Sequence, residues 1–520
     1  MTARITYIAE GQFDPQHASV EKDSLSVQGL KGAREIRITV GFEKLPHELR
    51  QVLKQSRELH VRWATERSFA ALAPFGSRIS PGLHVSYTPP ENRRVGVTLL
   101  CPFLRKVFSD TLKCSIPDAS FISSSVASTR SVQFYQLIPS LENLVTYIQQ
   151  KICRQEDHVC YEYASTLEFA DYADIDYEAT SSFLSITSYW SQAPHEEGWR
   201  DNHKFRGEGR VEVGILTMQE PTGPAELRVG GFLAVVGENE SLKPTLFSFP
   251  SRHQPLPDTS TYRTSFVFPT GLHPTLKLSI PRGALSPPAT APKGACSLHA
   301  FLTLPSSIFA DKYQLSTTDR LFLQSHNLVS LRSIAGETDL EVPDWVTERW
   351  GSHLLFELAT QQPNNLRNQS DDWEATIPLH LRYLHPSASG YRNISVPWPV
   401  VFWACSGEEG RHLEKSPFDR THLHWDELFT PRTIFYQLHP APTGAESRDD
   451  LNPQRRLIEQ IQVPVLRIDK GSPEIAQARV LELSTVFVIV FGFLWVLWKL
   501  GLVIRSHGVG RNNTSKVKNT

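Results

Sequence analysis

The chain has 520 residues, 40% of them apolar and 21% charged, with 53 Lys and Arg against 55 Asp and Glu and a formal net charge of −2. No long basic stripe lies outside the C-terminal tail, so nucleic acid is not an expected partner. The apolar share is enough for a packed core, the length suggests two or three domains, and 36 dispersed prolines favour short strands joined by turns over long helices.

The first residues, MTARITYIAEGQFDP, contain no apolar core of a signal peptide. Strand-like segments follow at Arg4–Ile8, Arg34–Val40, His60–Trp63, Leu83–Tyr87 and Val95–Leu99. Between them, Pro46–Gln55 sets Leu49, Val52 and Leu53 at helical spacing with Pro46 near the first turn. Phe121–Ser131 is Ser-rich and reads as a loop, Leu141–Ile152 as a short helix, and the acidic, aromatic stretch Glu162–Glu178 as surface. Ser241–Thr261 is rich in Pro and Ser, so residues 241–260 are the expected linker between an N-terminal α+β region, 1–240, and a β-rich domain, 261–482. Pro281–Pro292 is a second loop-like stretch.

Beyond that linker the patterning sharpens. Thr275–Ile280, Leu298–Leu304 and Leu354–Leu358 alternate or nearly so. Ile377–Leu384 sets Ile377, Leu379, Leu381 and Tyr383 on one face and His380 and Arg382 on the other. Val400–Ala404 is an apolar run fit for a buried strand, its start confined by Pro397 and Pro399. Short strands with turn signals between them predict a mainly β fold, a sandwich-like ectodomain.

Near the C-terminus, Leu483–Ile504 (LSTVFVIVFGFLWVLWKLGLVI) carries a single charge, Lys499. At about 1.5 Å per residue it reaches about 33 Å, enough to cross a bilayer core of roughly 30 Å. Trp495 and Trp498 suit the headgroup level at one end, and Lys499 can snorkel to the same interface. The tail 505–520 holds Arg505, Arg511, Lys516 and Lys518 and no acid, while Glu474, Arg479 and Glu482 mix signs before the helix. This asymmetry predicts a cytosolic tail and a lumenal body. The ending Lys516-Val517-Lys518-Asn519-Thr520 resembles a dilysine retrieval signal of the endoplasmic reticulum.

Sequons at Asn239, Asn368 and Asn393 favour the same orientation, whereas those at Asn512 and Asn513 fall in the tail. Six cysteines, Cys101, Cys114, Cys153, Cys160, Cys296 and Cys405, are an even set that can pair in an oxidising lumen, with the connectivity open. Cys153 and Cys160 are near enough to close a small loop. Without a signal peptide, either the last helix directs translocation, or the body is cytosolic on a tail anchor, or the start lies elsewhere. Tail charge, sequons and ending together favour the lumenal body.

Chemistry-bearing patterns are few. Asp174-Ile175-Asp176 is a D-x-D triplet of the kind that holds a divalent metal against a nucleotide-sugar diphosphate. It lies among Glu168, Asp171 and Glu178 and reads as a solvated acidic face. His412, His422 and His424, with Asp419 and Asp426, fit no standard zinc spacing. His380 and His385 flank a strand as surface or capping residues. There is no C-x-x-C, G-x-S-x-G, Walker loop or G-x-G-x-x-G, and Gly207-Glu208-Gly209 is too short for a phosphate loop. No catalytic, cofactor or metal residue is nominated, and an anchored binding or stabilising protein fits better than an enzyme.

An ordered set of motifs adds to this reading. It runs Gly271-Leu272-His273-Pro274-Thr275-Leu276, Cys296 with Leu298-His299, Leu304-Pro305-Ser306-Ser307-Ile308-Phe309, Asp311-Lys312-Tyr313-Gln314-Leu315 and Asp339-Leu340-Glu341-Val342-Pro343. It continues through Ile377–Leu384, Tyr391, Val396-Pro397-Trp398-Pro399 and Ala404-Cys405 to the terminal helix. Over 261–504 the set resembles the PIG-X family, including the fungal PBN-type proteins. The first 240 residues resemble the fungal branch only, as at Ser24-Leu25-Ser26-Val27 and Pro81-Gly82-Leu83-His84-Val85.

The resemblance implies a non-catalytic, single-pass subunit in the endoplasmic reticulum membrane. It implies a polytopic, PIG-M-like partner that adds the first mannose to the glycosylphosphatidylinositol (GPI) precursor, with no cofactor in this chain. Tyr313, Pro343 and Trp398 are motif residues expected to pack. The alternative is a general lumenal chaperone or quality-control factor with many clients.

Overall fold

Strand alternation dominates the chain, and the fold is mainly β. A computed structural model describes residues 2–508 apart from 12, 91–97, 124–130, 154–157, 205–208, 222, 224, 292–295, 340–341, 361–371, 408–412, 414–422, 443–455 and 468–472. The chain divides into one unit of Met1–Tyr383 with Ile394–Ile461 and a second of Leu384–Asn393 with Gln462–Thr520.

The first unit is built on an eleven-stranded sheet. Its order is Lys243–Pro250, Glu226–Val235, Arg210–Gln219, Thr2–Ala9, Gly32–Gly41, Phe183–Trp190, Tyr172–Glu178, Glu58–Ala64, Gly82–Thr88, Val132–Gln136 and Ile122–Ser123. Only Thr2–Ala9 against Arg210–Gln219 is parallel among these pairs. The period of two separates the faces. Leu59, Val61, Trp63, Leu83, Val85 and Tyr87 lie with Leu49, Val52 and Leu53 of helix His47–Leu53, Leu100 and Leu104 of Leu100–Val107, and Leu144 of Glu142–Lys151. The opposite face carries His60, Arg62, His84, Asp174 and Asp176, which are polar.

That polar face meets a second sheet, ordered His253–Gln254, Thr433–Gln437, Val400–Ser406, Cys296–Pro305, Gly351–Leu358 and Leu328–Gly336. Ala64, Phe75, Ile79, Tyr172 and Tyr189 share one core cluster with Phe301, Leu355, Val400, Phe402, Trp425 and Phe435. Removing a side chain such as Phe402, wholly buried here, from water stabilises the fold by about 1.5–3 kcal/mol. Polar links cross the same seam. Ser80 Oγ donates to Thr303 Oγ1 at 3.2 Å, Trp350 Nε1 to the Gln133 carbonyl at 3.0 Å, and the Arg78 amide to Gln437 Oε1 at 2.9 Å. Residues 1–240 and those beyond 261 thus contribute to one sandwich.

The stretch 241–260, read as a linker, carries strand Lys243–Pro250 at the edge of the first sheet. It then carries His253–Gln254, parallel to Thr433–Gln437 in the second. A four-stranded sheet, Trp373–Pro378, Thr275–Ile280, Thr261–Phe266 and His439–Pro440, lies between further family-motif segments. All six cysteines pair, as Cys101–Cys114, Cys153–Cys160 and Cys296–Cys405, the last directly opposite in register.

Three expectations change. Glu162–Glu178 is not a surface stretch: it continues helix His158–Thr166 and forms strand Tyr172–Glu178, inside the sheet, with Asp174 fully buried. Its charges are balanced by a strand more than a hundred residues earlier, which local reading cannot supply. The alternation in Ile377–Leu384 holds through Leu379 and then reverses, leaving Arg382 buried and Tyr383 exposed. Leu99 is not the end of a strand but precedes helix Leu100–Val107, and Val95 falls outside the described residues. Of the Ser-rich loop 121–131, the described part includes the short edge strand Ile122–Ser123.

In the second unit, Pro473–Gly508 is helical. Glu482–Arg505 has a mean hydropathy of 2.4 with none of it buried, so it is long and apolar enough to cross a membrane and contains the expected span. Lys499 Nζ lies 5.5 Å from the ring of Trp498 and 5.8 Å from that of Trp495, a cation–π arrangement that keeps the ammonium beside the interfacial indoles.

The seam fixes a pH response. Burial pushes the His84 imidazole down to about 4, helped by the charge of Arg62 and opposed by its bond to the Ser80 carbonyl. Burial, then His84, holds His353 well below the ordinary range. Their neighbours are Tyr135, Trp350 and His424. Between an unfolded pKa of about 6.5 and the depressed folded values, the unfolded chain binds more protons, so stability falls as pH falls, by up to about 1.4 kcal/mol per pH unit for each imidazole. The urea midpoint of the detergent-solubilised protein is therefore expected to drop from pH 7 to pH 5, and His84→Gln to flatten that slope.

Candidate functional site

The D-x-D pair is the first place to look for chemistry. Side chains two apart on a strand share a face, so Asp174 and Asp176 point together at the neighbouring strand, where Arg62 and His60 stand directly opposite. Arg62 Nε lies 3.1 Å from Asp174 Oδ1 and Arg62 Nη2 3.5 Å from Asp176 Oδ1, while His60 Nδ1 lies 2.8 Å from Asp176 Oδ1. Burial alone would depress the Arg62 guanidinium, but Asp174, then Tyr172 and Asp176, raise it well above its ordinary value. The expected solvated acidic face is a buried, neutralised ladder. Its carboxylates lie against a fixed cation, an arrangement suited to a structural ion pair.

The histidine group is divided. His424 packs 5.3 Å from the ring of His84 and 5.5 Å from that of His353. Asp426 Oδ1 accepts the Leu423 amide at 2.8 Å, a local cap. His412, Asp419 and His422 lie outside the described residues, as do Gly207 and Glu208. Among the described residues no three or more His, Cys, Asp or Glu side chains are placed to hold a metal ion. Of the sequons, Asn393 is exposed on strand Tyr391–Pro397, and Asn239 Oδ1 accepts the Val235 amide at 2.9 Å in a turn. Asn368, Lys516 and Lys518 lie outside the described residues.

A built surface does form elsewhere, around Arg382. Its amide donates to the Ser307 carbonyl at 2.9 Å. Its Nη1 donates to the carbonyls of Asp339 at 2.5 Å and Val342 at 2.7 Å. Its guanidinium lies over the Phe309 ring at 4.3 Å. Either side of it, the Leu381 amide donates to the Leu272 carbonyl at 3.1 Å and the Asp344 amide to the Tyr383 carbonyl at 3.1 Å. Ile308 and Phe309 pair with Leu381 and His380 as a two-residue ladder, and His380 meets His273 at 3.0 Å between Nδ1 atoms. Asp311 caps helix Lys312–Leu315 through the Tyr313 and Gln314 amides.

Arg382 thus fastens 307–309 and 339–342 to its own segment, while its neighbours Leu381 and Tyr383 bond Leu272 and Asp344, and on or beside these segments apolar side chains reach solvent: Leu272 (53% exposed), Tyr313 (71%), Trp345 (48%) with Val346 (57%), and Tyr383 (73%). The packing role expected of motif residues holds for Trp398, buried against Tyr262 with Nε1 donating to Glu459 at 3.0 Å. Pro343 is partly buried. Tyr313 points outward instead, because its helix is capped by Asp311 and buries only Leu315. The sequence signal for this platform was the Tyr313 and Tyr383 carried by the motifs; Tyr383 faces water because Arg382 turns inward.

Comparison with known proteins places these segments inside a larger matched region. The family model described as PIG-X / PBN1 matches residues 269–501, which include all four platform segments and most of the apolar helix. The chain is 52% identical to Protein pbn1 of Emericella nidulans over 98% of its own length and 97% of that protein's. It is 49% identical to Protein pbn1 of Aspergillus fumigatus over 99% and 98%, and 36% identical to Protein pbn1 of Neurospora crassa over 98% and 96%.

Arg382→Ala removes the donor to two carbonyls. At about 1.5–3 kcal/mol for a hydrogen bond to a charged group, it is expected to unfasten 342–347 and speed amide hydrogen exchange there and in 309–313, with the first sheet unchanged. Arg382→Lys, which keeps a charge but not the fork, is expected to restore only part of the protection.

Proposed function

The chain belongs to the PIG-X / PBN1 family, and on that premise we propose that it is a non-catalytic membrane subunit in GPI-anchor biosynthesis. It stabilises a polytopic, PIG-M-like mannosyltransferase in the endoplasmic reticulum and is needed for adding the first mannose to the precursor. The observation that carries this reading is the match to fungal relatives over nearly the whole chain. Supporting it, the one carboxylate pair with a transferase-like spacing is occupied by Arg62 and His60, and a single apolar helix is long enough to cross a membrane among the described residues.

The body lies in the lumen and the basic tail in the cytosol, with Lys516 and Lys518 read by the retrieval machinery and Asn239, Asn368 and Asn393 as glycan acceptors. The three disulfides suit that oxidising side. Stabilisation needs no chemistry: a subunit that binds the folded enzyme and not its unfolded chain adds about 2.7 kcal/mol when present at a hundred times its dissociation constant. A second reading, a general lumenal chaperone, draws on the exposed apolar platform, which suits several clients.

Depletion of this chain is expected to lower the mannosyltransferase level and the first mannosylated intermediate together, read by immunoblot and lipid labelling. Unchanged levels of both would overturn the subunit reading, and earlier misfolding of unrelated secretory proteins would favour the chaperone. The double replacement Asp174→Asn with Asp176→Asn is expected to lower the amount of protein rather than a turnover rate per molecule. For the orientation, Asn393→Gln is expected to remove one endoglycosidase-sensitive increment in gel mobility.

A further inference from the structure

Arg78 is a buried cation, 7% exposed, in the segment between strands Glu58–Ala64 and Gly82–Thr88. Its Nη1 donates to the Phe69 carbonyl at 3.1 Å, and its Nη2 lies 2.9 Å from His439 Nδ1. The other nitrogen of that imidazole, Nε2, lies 3.2 Å from the Leu256 carbonyl, so Nε2 carries the proton and Nδ1 accepts. The histidine is therefore neutral and supplies no charge against the guanidinium. Arg34 and Arg62, also buried, each meet a carboxylate. Arg78 forms no ion pair with any described residue, and its Nε donates to none of them. Burial pushes its guanidinium below the ordinary value; Tyr262, Tyr189 and Asp258 oppose this only in part, and Asp258 is exposed.

The guanidinium lines a cavity of about 10 Å³ whose other walls are largely apolar, with Phe69, Ile79, Tyr262, Trp398, Val400 and Leu457. That is room for about one water-sized or monatomic species, and not for a carboxylate or phosphate group. A water there needs about two to four polar partners, and the polar groups of the wall are engaged elsewhere. Tyr262 Oη donates to the Pro399 carbonyl at 2.6 Å, Thr65 Oγ1 accepts the Arg67 amide at 3.3 Å, and the Pro440 carbonyl accepts from Ser68 Oγ at 3.3 Å. A halide needs only what Arg78 offers, a donor and an unopposed positive charge.

We propose that this cavity is a monatomic-anion site, in which chloride accepts a hydrogen bond from Arg78 Nε and neutralises its charge. The walls come from 65–81, from Tyr262, and from 398–400 with Pro440 and Leu457, stretches far apart in sequence. Only the folded chain brings them together, so chloride stabilises the fold by mass action. The site stands independently of the subunit function argued above.

The test compares the full chain in mild detergent in sodium chloride and in sodium gluconate at equal ionic strength, the gluconate anion being too large for the cavity. Exchange of the Arg78, Ile79, Tyr262, Trp398 and Val400 amides is expected to be severalfold slower in chloride. Helix Glu142–Lys151, remote from the cavity, is expected to exchange alike in both salts. Sodium bromide is expected to act as chloride does, and Arg78→Met, similar in bulk and without charge, to abolish the difference between the salts. Equal exchange at the cavity in chloride and gluconate overturns the site. So does an equal slowing of the cavity and the helix, which is a general salt effect, or a difference that persists in Arg78→Met. Should that variant fail to fold, the comparison of cavity with helix in the unaltered chain decides by itself in either direction.

Discussion

Arg62 is the constraint on which the first sheet and its seam depend. It lies on the face that the second sheet covers, almost wholly out of water, and its charge is tolerable only because Asp174 stands opposite it in register and Asp176 one step beyond. Breaking such a pair by removing one partner costs about 3–5 kcal/mol, because the other charge is left buried and alone. A slip of one residue between Glu58–Ala64 and Tyr172–Glu178 would turn every side chain to the other face. It would carry the charges into the apolar layer of Leu59, Val61 and Trp63 and the helices beyond. The ladder therefore specifies register as well as contributing attraction, and through register it places His60, His84 and the polar links to the second sheet.

The same logic shows which parts of the fold can be read locally. The span is legible because its hydropathy needs no partner to be recognised. Helix His47–Leu53 is legible because Pro46, Leu49, Val52 and Leu53 state its start and its buried face within eight residues. Strands such as Thr275–Ile280 alternate cleanly because one of their faces is apolar throughout. The acidic strand Tyr172–Glu178 is opaque, since its charges are explained only by Arg62 and His60 more than a hundred residues away. The separation of residues 1–240 from the rest fails to predict their shared core for a related reason: Pro and Ser near 241–260 report a turn-rich surface, not what the flanking strands bury.

The platform is a case where motif and geometry diverge. Reading Ile377–Leu384 as a plain strand assigns Tyr383 to the core and Arg382 to water. The strand stops at Pro378 and resumes only as His380–Leu381, and after that break the arginine finds two carbonyls and a phenyl ring that outweigh its hydration. Once it turns inward, Tyr383 has nowhere to go but out. The exposure of Tyr383 is a product of that one inversion, and segments around Leu272, Ser307 and Asp344, dispersed over more than seventy residues of sequence, meet here because their backbones are bonded to Leu381, Arg382 and Tyr383.

The bridge between Cys296 and Cys405 gives this surface a further property. The two residues are 109 apart, and three of the four platform segments, those bearing Tyr313, Trp345 and Tyr383, lie on the chain between them. A single cut by a protease anywhere in that interval leaves both pieces covalently joined at adjacent strands of the second sheet. In a compartment where thiols stay oxidised, damage to an exposed loop would be survivable, and the working life of the surface would be set by the redox state of its surroundings rather than by the integrity of the peptide backbone.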